Sequence, residues 1–138
     1  MRCTFWKMKP NGKLDGVFCH HGDNVAKLLL KHWGSNELVD DLISMGHLSR
    51  LGDHLNPTGP HTFQNPEPNC TVAYARDKGE LKRLFKDYTP EQAAKCKLIY
   101  GKAYSWQPLT KSWHLGLSWK DPMLISLLPG NYGRRRRR

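Results

Sequence analysis

The densest group of side chains able to do chemistry in this 138-residue chain is the run CHHGD, Cys19 to Asp23. Cysteine, histidine and aspartate are all competent zinc ligands, and His32, His47, His54 or His61 could complete a set begun by Cys19, His21 and Asp23. Neighbouring residues of a strand point to opposite faces, so His20 and His21 do not readily reach one ion. The spacing matches no familiar zinc signature. The structural alternative makes Cys19 a buried strand residue and His21 with Asp23 the turn into a helix, and no cofactor is expected. Nucleophilic catalysis needs a thiolate or hydroxyl beside an oriented histidine. No G-x-S-x-G, H-E-x-x-H, phosphate-loop or G-x-G-x-x-G signature occurs.

Two further groups carry charge. Arg76, Asp77 and Glu80 in ARDKGE fall where a strand gives way to a helix, a polar site in which Arg76 could grip a phosphate or carboxylate as a bidentate fork. The local alternative has Asp77 capping the helix and Arg76 pairing nearby. The chain ends on Arg134, Arg135, Arg136, Arg137 and Arg138. Together with Lys82, Arg83 and Lys86, on the polar side of the expected helix DKGELKRLFKDY, these arginines are the candidate nucleic-acid contacts.

The net charge is +10, of which the tail supplies five and the remainder +5. A domain that is basic without its tail suits an acidic partner such as nucleic acid or a nucleoprotein complex, and the sign excludes a mimic of DNA. RNP aromatics, paired Cys/His fingers and a helix-turn-helix signature are absent, so charge alone does not say which polyanion is bound. No run approaches the ~18 apolar residues of a membrane span, and the start MRCTFWKMKPNGK lacks an apolar signal core. An intracellular protein with no membrane partner is expected. Cys3, Cys19, Cys70 and Cys96 are scattered and read as reduced thiols.

The elements that must position these groups form an α+β fold. Residues 3–8 and 14–20 flank the turn signal Pro10-Asn11-Gly12 and predict a hairpin. In GDNVAKLLLKHW the apolar arc of Val25, Leu28, Leu29, His32 and Trp33 opposes Lys27 and Lys31, which predicts a helix capped by Asp23 or Asn24, with His32 as a core histidine. Ser35 caps a second helix, NELVDDLISM, stopped by Gly46. Residues 46–69 read as a long ordered loop or an insertion.

CTVAYA predicts a strand, and DKGELKRLFKDY a helix with Leu81, Leu84, Phe85 and Tyr88 on one face. Thr89-Pro90 opens a short helix to about Cys96. KLIYGKAYSW and SWHLGLSW predict an antiparallel hairpin, with Leu98, Tyr100, Tyr104 and Trp106 on one face of the first strand. Trp113, Leu115, Leu117 and Trp119 alternate along the second. The expected architecture is a mainly antiparallel sheet of about five strands with three or four short helices on one face. It forms a single domain over residues 1–130, followed by a flexible arginine-rich tail at 131–138.

The run CHHGDNVAKLLLKHW, then LISMGHLSRLG, YARDKGE and AYSW…SWHLGL, resembles a family of small bacteriophage-encoded proteins of unknown function, over residues 18–119. Where that family carries aspartate-glycine-aromatic after its CH, this chain has His21-Gly22-Asp23. The resemblance implies a phage accessory protein acting in the host cytoplasm on a defence complex, polymerase, nuclease or nucleic acid, including an anti-CRISPR-like role. The competing expectations are a protein inhibitor of a host enzyme without nucleic-acid contact and a small metal-dependent enzyme.

Overall fold

The computed structural model describes residues 2–21, 24–53, 71–73 and 84–117, and the structural statements that follow concern those residues. Seven strands and three helices occur among them, in the order β1 (Cys3–Met8), β2 (Leu14–His21), α1 (Val25–His32), α2 (Asn36–Ser44), β3 (Leu48–Arg50), β4 (Val72–Ala73), β5 (Phe85–Tyr88), α3 (Pro90–Tyr100), β6 (Lys102–Gln107) and β7 (Ser112–Leu115). They build one sheet in the order β4-β3-β2-β1-β6-β7, with β5 paired to β2. The fold is α+β, but the sheet is mixed rather than mainly antiparallel, because β1 runs parallel to β6 and β2 parallel to β3. No helix among the described residues is long and apolar enough to cross a membrane.

The helices cover both faces, not one. Alternation along β1 sends Cys3 and Phe5 to the face where Val25, Leu29 and Trp33 of the α1 region and Val39, Leu42 and Ile43 of α2 pack. Trp6 goes to the other face, with Ala93 and Cys96 of α3. A central strand buried on both sides loses the polar alternation that marks a half-exposed one, and residues 3–6 of β1 are all buried.

Four tryptophans are fully buried, and each indole N–H finds an acceptor. Trp6 donates to Thr4 Oγ1 at 2.7 Å, Trp33 to the Gly52 carbonyl at 3.0 Å, Trp106 to Asn36 Oδ1 at 2.7 Å and Trp113 to the Trp33 carbonyl at 2.7 Å. An unmet buried donor costs about 1–3 kcal/mol, so these bonds fix ring orientation as well as contact. Trp6 lies directly on Gly16, its cross-strand partner, where a Cβ would sit 2.3 Å from the indole ring.

The hairpin of β1 and β2 turns at Gly12, whose φ of 82° is in the left-handed region, and Asn11 Oδ1 accepts from the Lys13 amide at 2.9 Å. Asn24, the residue before α1, is left-handed at φ 59°, and its side chain makes no capping bond. Ser35 caps α2 as expected, its hydroxyl accepting from the Leu38 amide at 3.1 Å. Gly46, at φ 81°, follows the helix. Within the segment expected to be loop, Leu48–Arg50 forms β3, with Cys19 opposite Leu48 and His21 opposite Arg50.

Phe85–Tyr88 is a strand, not the end of a helix. Phe85 and Tyr88 share one side, both contacting the Trp6 ring with centroids at 5.5 and 5.7 Å. An i, i+3 spacing on one side normally marks a helix. Here it arises from a bulge in which Asp87 adopts φ 59° while the register against β2 shifts between Leu14 and Gly16. Asp15 Oδ1 accepts the Asp87 amide at 3.0 Å, and Lys9 pairs with Asp15 at 3.2 Å and with the Asp87 carboxylate.

α3 carries the expected Thr89 cap and Pro90 as a full capping box with Gln92, but runs on to Tyr100 and stops at Gly101, φ 86°. The apolar Leu98-Ile99-Tyr100 is therefore helical, and only Lys102–Gln107 is strand. β6 and β7 form the expected antiparallel hairpin. Its alternation ends at Gly116, φ 93°, after which Leu117 packs with Trp6 on the face opposite Trp113.

Gly16→Ala should lower stability by about 3 kcal/mol, the upper end of overpacking costs, because neither the strand nor the buried indole has room to yield. An unchanged urea midpoint would show that Trp6 does not need that approach. Thr89→Ala should cost about 1 kcal/mol through loss of the cap. The Lys9 hydrogen bond holds the Asp87 carboxyl below the usual aspartate range. A depressed carboxyl stabilises the fold above its unfolded pKa of about 3.9, and the contribution disappears as pH falls through the lowered value. Acid unfolding of Asp87→Asn should lack that step.

Candidate anion-binding groove

The carboxyl ends of the parallel strands β2 and β3 place His21 beside Arg50. α1 follows β2 and packs Val25, Leu29 and Trp33 inward, a buried stripe at i, i+4 and i+8. At 100° per residue, Lys27, Lys31, Asn24, Leu28 and His32 then fall on one contiguous flank of the helix, turned toward the strand ends. The space between is an open groove of about 550 Å³ lined by His21, Asn24, Lys27, Leu28, Lys31, His32, Arg50 and Leu51.

Three permanent cations and two imidazoles surround this groove, and no carboxylate is among its described lining residues. Leu28 and Leu51 supply its apolar surface. Asp53 stands outside, lining a smaller adjoining recess of about 160 Å³ with Arg50, Leu28, Leu51 and Gly52. Lys, Arg, Asn and His side chains all offer N–H donors to an anion. The place is the one where sheets with parallel strands commonly hold ligands, outside the carboxyl ends of those strands.

Of the residues singled out from sequence, His21 lines the groove and Cys19 does not. Cys19 is fully buried, and its Sγ lies 3.2 Å from the His21 carbonyl oxygen. Contact with the Cys3 thiol, then burial, pushes the Cys19 thiol well above its ordinary pKa, which keeps it a protonated thiol at neutral pH. Among the described residues no three His, Cys, Asp or Glu side chains gather as a metal site. His20 and His21 touch edge to face at 4.6 Å, closer than strict alternation predicts, yet only His21 reaches the groove.

Lys86 is exposed on β5 rather than on a helix, and its charge acts on Asp87. Arg134 to Arg138, Lys82, Arg83, Arg76, Asp77, Glu80 and Asp23 lie outside the described residues. His32 is half-buried on the groove wall rather than enclosed in the core. Sequence reasoning placed Lys27 and Lys31 opposite the apolar arc of the first helix, gave them no role, and passed over Arg50. The available signal was their i, i+4 spacing one turn after the histidines.

A serine–histidine contact exists at the β6–β7 hairpin, where Ser112 Oγ lies 3.0 Å from His114 Nε2. Ser112 also meets Thr110 Oγ1 at 2.7 Å and is 3% exposed, while His114 Nδ1 is buried with no partner to orient the ring. Burial lowers the His114 pKa. This is a polar ladder on a hairpin, without the third group that an activated serine requires.

Cys19 should resist iodoacetamide at neutral pH in the folded protein and react once the chain is denatured. Native labelling at the rate of a small free thiol, read by peptide mass mapping, would contradict its burial. No protein-family model matches the chain, and no curated protein or solved structure is significantly similar to it.

Proposed function

We propose that this is a phage accessory protein that binds nucleic acid, or a nucleic-acid-containing host complex, through a basic surface, and acts against host defence in the manner of an anti-CRISPR inhibitor. The observation that carries the binding reading is the groove, in which His21, Asn24, Lys27, Lys31, His32 and Arg50 converge from two strands and a helix with no carboxylate among them. The net charge of +10, with +5 outside the terminal arginines, supports a polyanionic partner. The phage source and the host target rest on the resemblance over residues 18–119. Arg134 to Arg138 add affinity for any polyanion, and Lys82, Arg83 and Lys86 add phosphate contacts.

A protein–protein inhibitor is the second reading. It is favoured by Leu98 and Ile99, 86% and 64% exposed at the end of α3, and by Leu109, 95% exposed on the β6–β7 turn.

Binding to duplex DNA measured against salt tests the first reading. Replacing Arg134 to Arg138 with glutamine should flatten the log–log slope by up to about 4.5, from roughly 0.9 per phosphate contact. Absence of salt-dependent binding to DNA and RNA, together with a partner retained after nuclease treatment, would transfer the function to the inhibitor reading.

A further inference from the structure

We infer that the groove between α1 and the ends of β2 and β3 holds a concentrated phosphate charge, the phosphomonoester end of a nucleic-acid strand or the polyphosphate of a nucleotide. A run of internal phosphodiesters does not fit it as well. The inference rests on the nucleic-acid reading and names what the folded part selects within it.

The charge arrangement carries the argument. An internal phosphodiester bears one negative charge, and a strand lying along a protein meets its cations spread out as a track. Here three permanent cations and two imidazole rings line one recess of about 550 Å³. A terminal phosphate carries about −1.5 to −2 near pH 7 and offers three strong acceptor oxygens. That density of charge and acceptors matches lysine ammoniums from one helix turn and the next, an arginine fork from the neighbouring strand and the Asn24 amide.

The volume lies within the range of about 300–1,000 Å³ typical of small-ligand pockets, large enough for one nucleotide. Among its described lining residues there is no Trp, Tyr or Phe, so none of them offers a base a broad stacking surface. The donors read phosphate, and base identity is left unread. Leu28 and Leu51 give the sugar an apolar surface to rest on.

Binding of the full-length protein to single-stranded oligothymidylate with a 5′-phosphate, a 3′-phosphate or hydroxyls at both ends tests this, alongside dTTP and inorganic pyrophosphate. One of the phosphorylated strands should bind about tenfold or more tightly than the hydroxyl strand, the worth of one charge-assisted contact or more. Lys27→Gln, Lys31→Gln and Arg50→Gln should each reduce that preference. All three residues are exposed, and an unchanged urea midpoint confirms folding. Pyrophosphate should shift the ring resonances of His21 and His32 in the unaltered protein.

Equal affinity for all three strands, weakened uniformly by the groove substitutions, would overturn the terminal-phosphate inference and leave the nucleic-acid reading standing. A terminal preference untouched by the substitutions would overturn the groove as its site. Binding of dTTP and pyrophosphate in the groove, with no strand bound, would keep the phosphate site and overturn the nucleic-acid reading.

Discussion

The outer edge of β2 changes partner halfway along, and the rest of the structure depends on how that exchange is satisfied. At Leu14 and Gly16 the strand pairs with β5, and at Cys19 and His21 with β3. Between the two, the Phe18 amide would face a gap, and a half-buried donor left unmet is costly. His47 closes it, accepting the Phe18 N–H at Nδ1 over 3.0 Å. His47 is buried, with its ring 4.6 Å from Phe85 and 6.0 Å from Phe18. It sits between Gly46, which follows α2, and Leu48, which opens β3, so one imidazole joins the helical crossover, the parallel strand and β5. The groove follows from this, because His21 stands beside Arg50 only if β3 pairs in this register.

The two faces of the sheet are organised by tryptophans in different ways. Toward α1 and α2, Trp33, Trp106 and Trp113 are linked by hydrogen bonds as well as packing: Trp113 bonds the carbonyl of Trp33, and Trp106 bonds Asn36 at the start of α2. The connection between the two helices is thereby tied to β6 and β7. Toward α3, Trp6 bonds within its own strand to Thr4 and is pressed flat between Gly16 and Phe85, stacked on the latter at 5.5 Å and 16°. The first arrangement fixes where α1 lies, and therefore where Lys27 and Lys31 stand relative to Arg50. The second fixes β5 to the hairpin.

Local signals in the sequence were legible where a residue acts through its own neighbours. The Pro10-Asn11-Gly12 turn, the Ser35 cap and the Thr89-Pro90 start each work within four residues, and each appears in the structure as read. The β6–β7 hairpin was legible because one face of each strand is apolar. What was not legible depended on partners distant in sequence. β1 is buried on both faces, so its pattern could not say that helices lie on two sides. Phe85 and Tyr88 mimic helical spacing because a left-handed Asp87 turns the strand, a conformation aspartate tolerates but does not announce. β3 is three residues long inside a segment rich in proline and glycine, too short to carry a period. Missing β3 meant missing Arg50 and, with it, the groove.

This bears on how charge should be weighed in the molecule. Five identical arginines in a row differ in nothing that could read a sequence, and such charge attracts every polyanion alike. In the groove, the backbone positions of Lys27, Lys31, His21 and Arg50 are set by a helix and two paired strands that bury their other faces in the core. The entropy of bringing those residues together is then part of the folding free energy, so a ligand has only the side chains to order. Selectivity requires donors whose spacing exists before the ligand arrives, and among the described residues the groove is where several cationic donors meet that condition together.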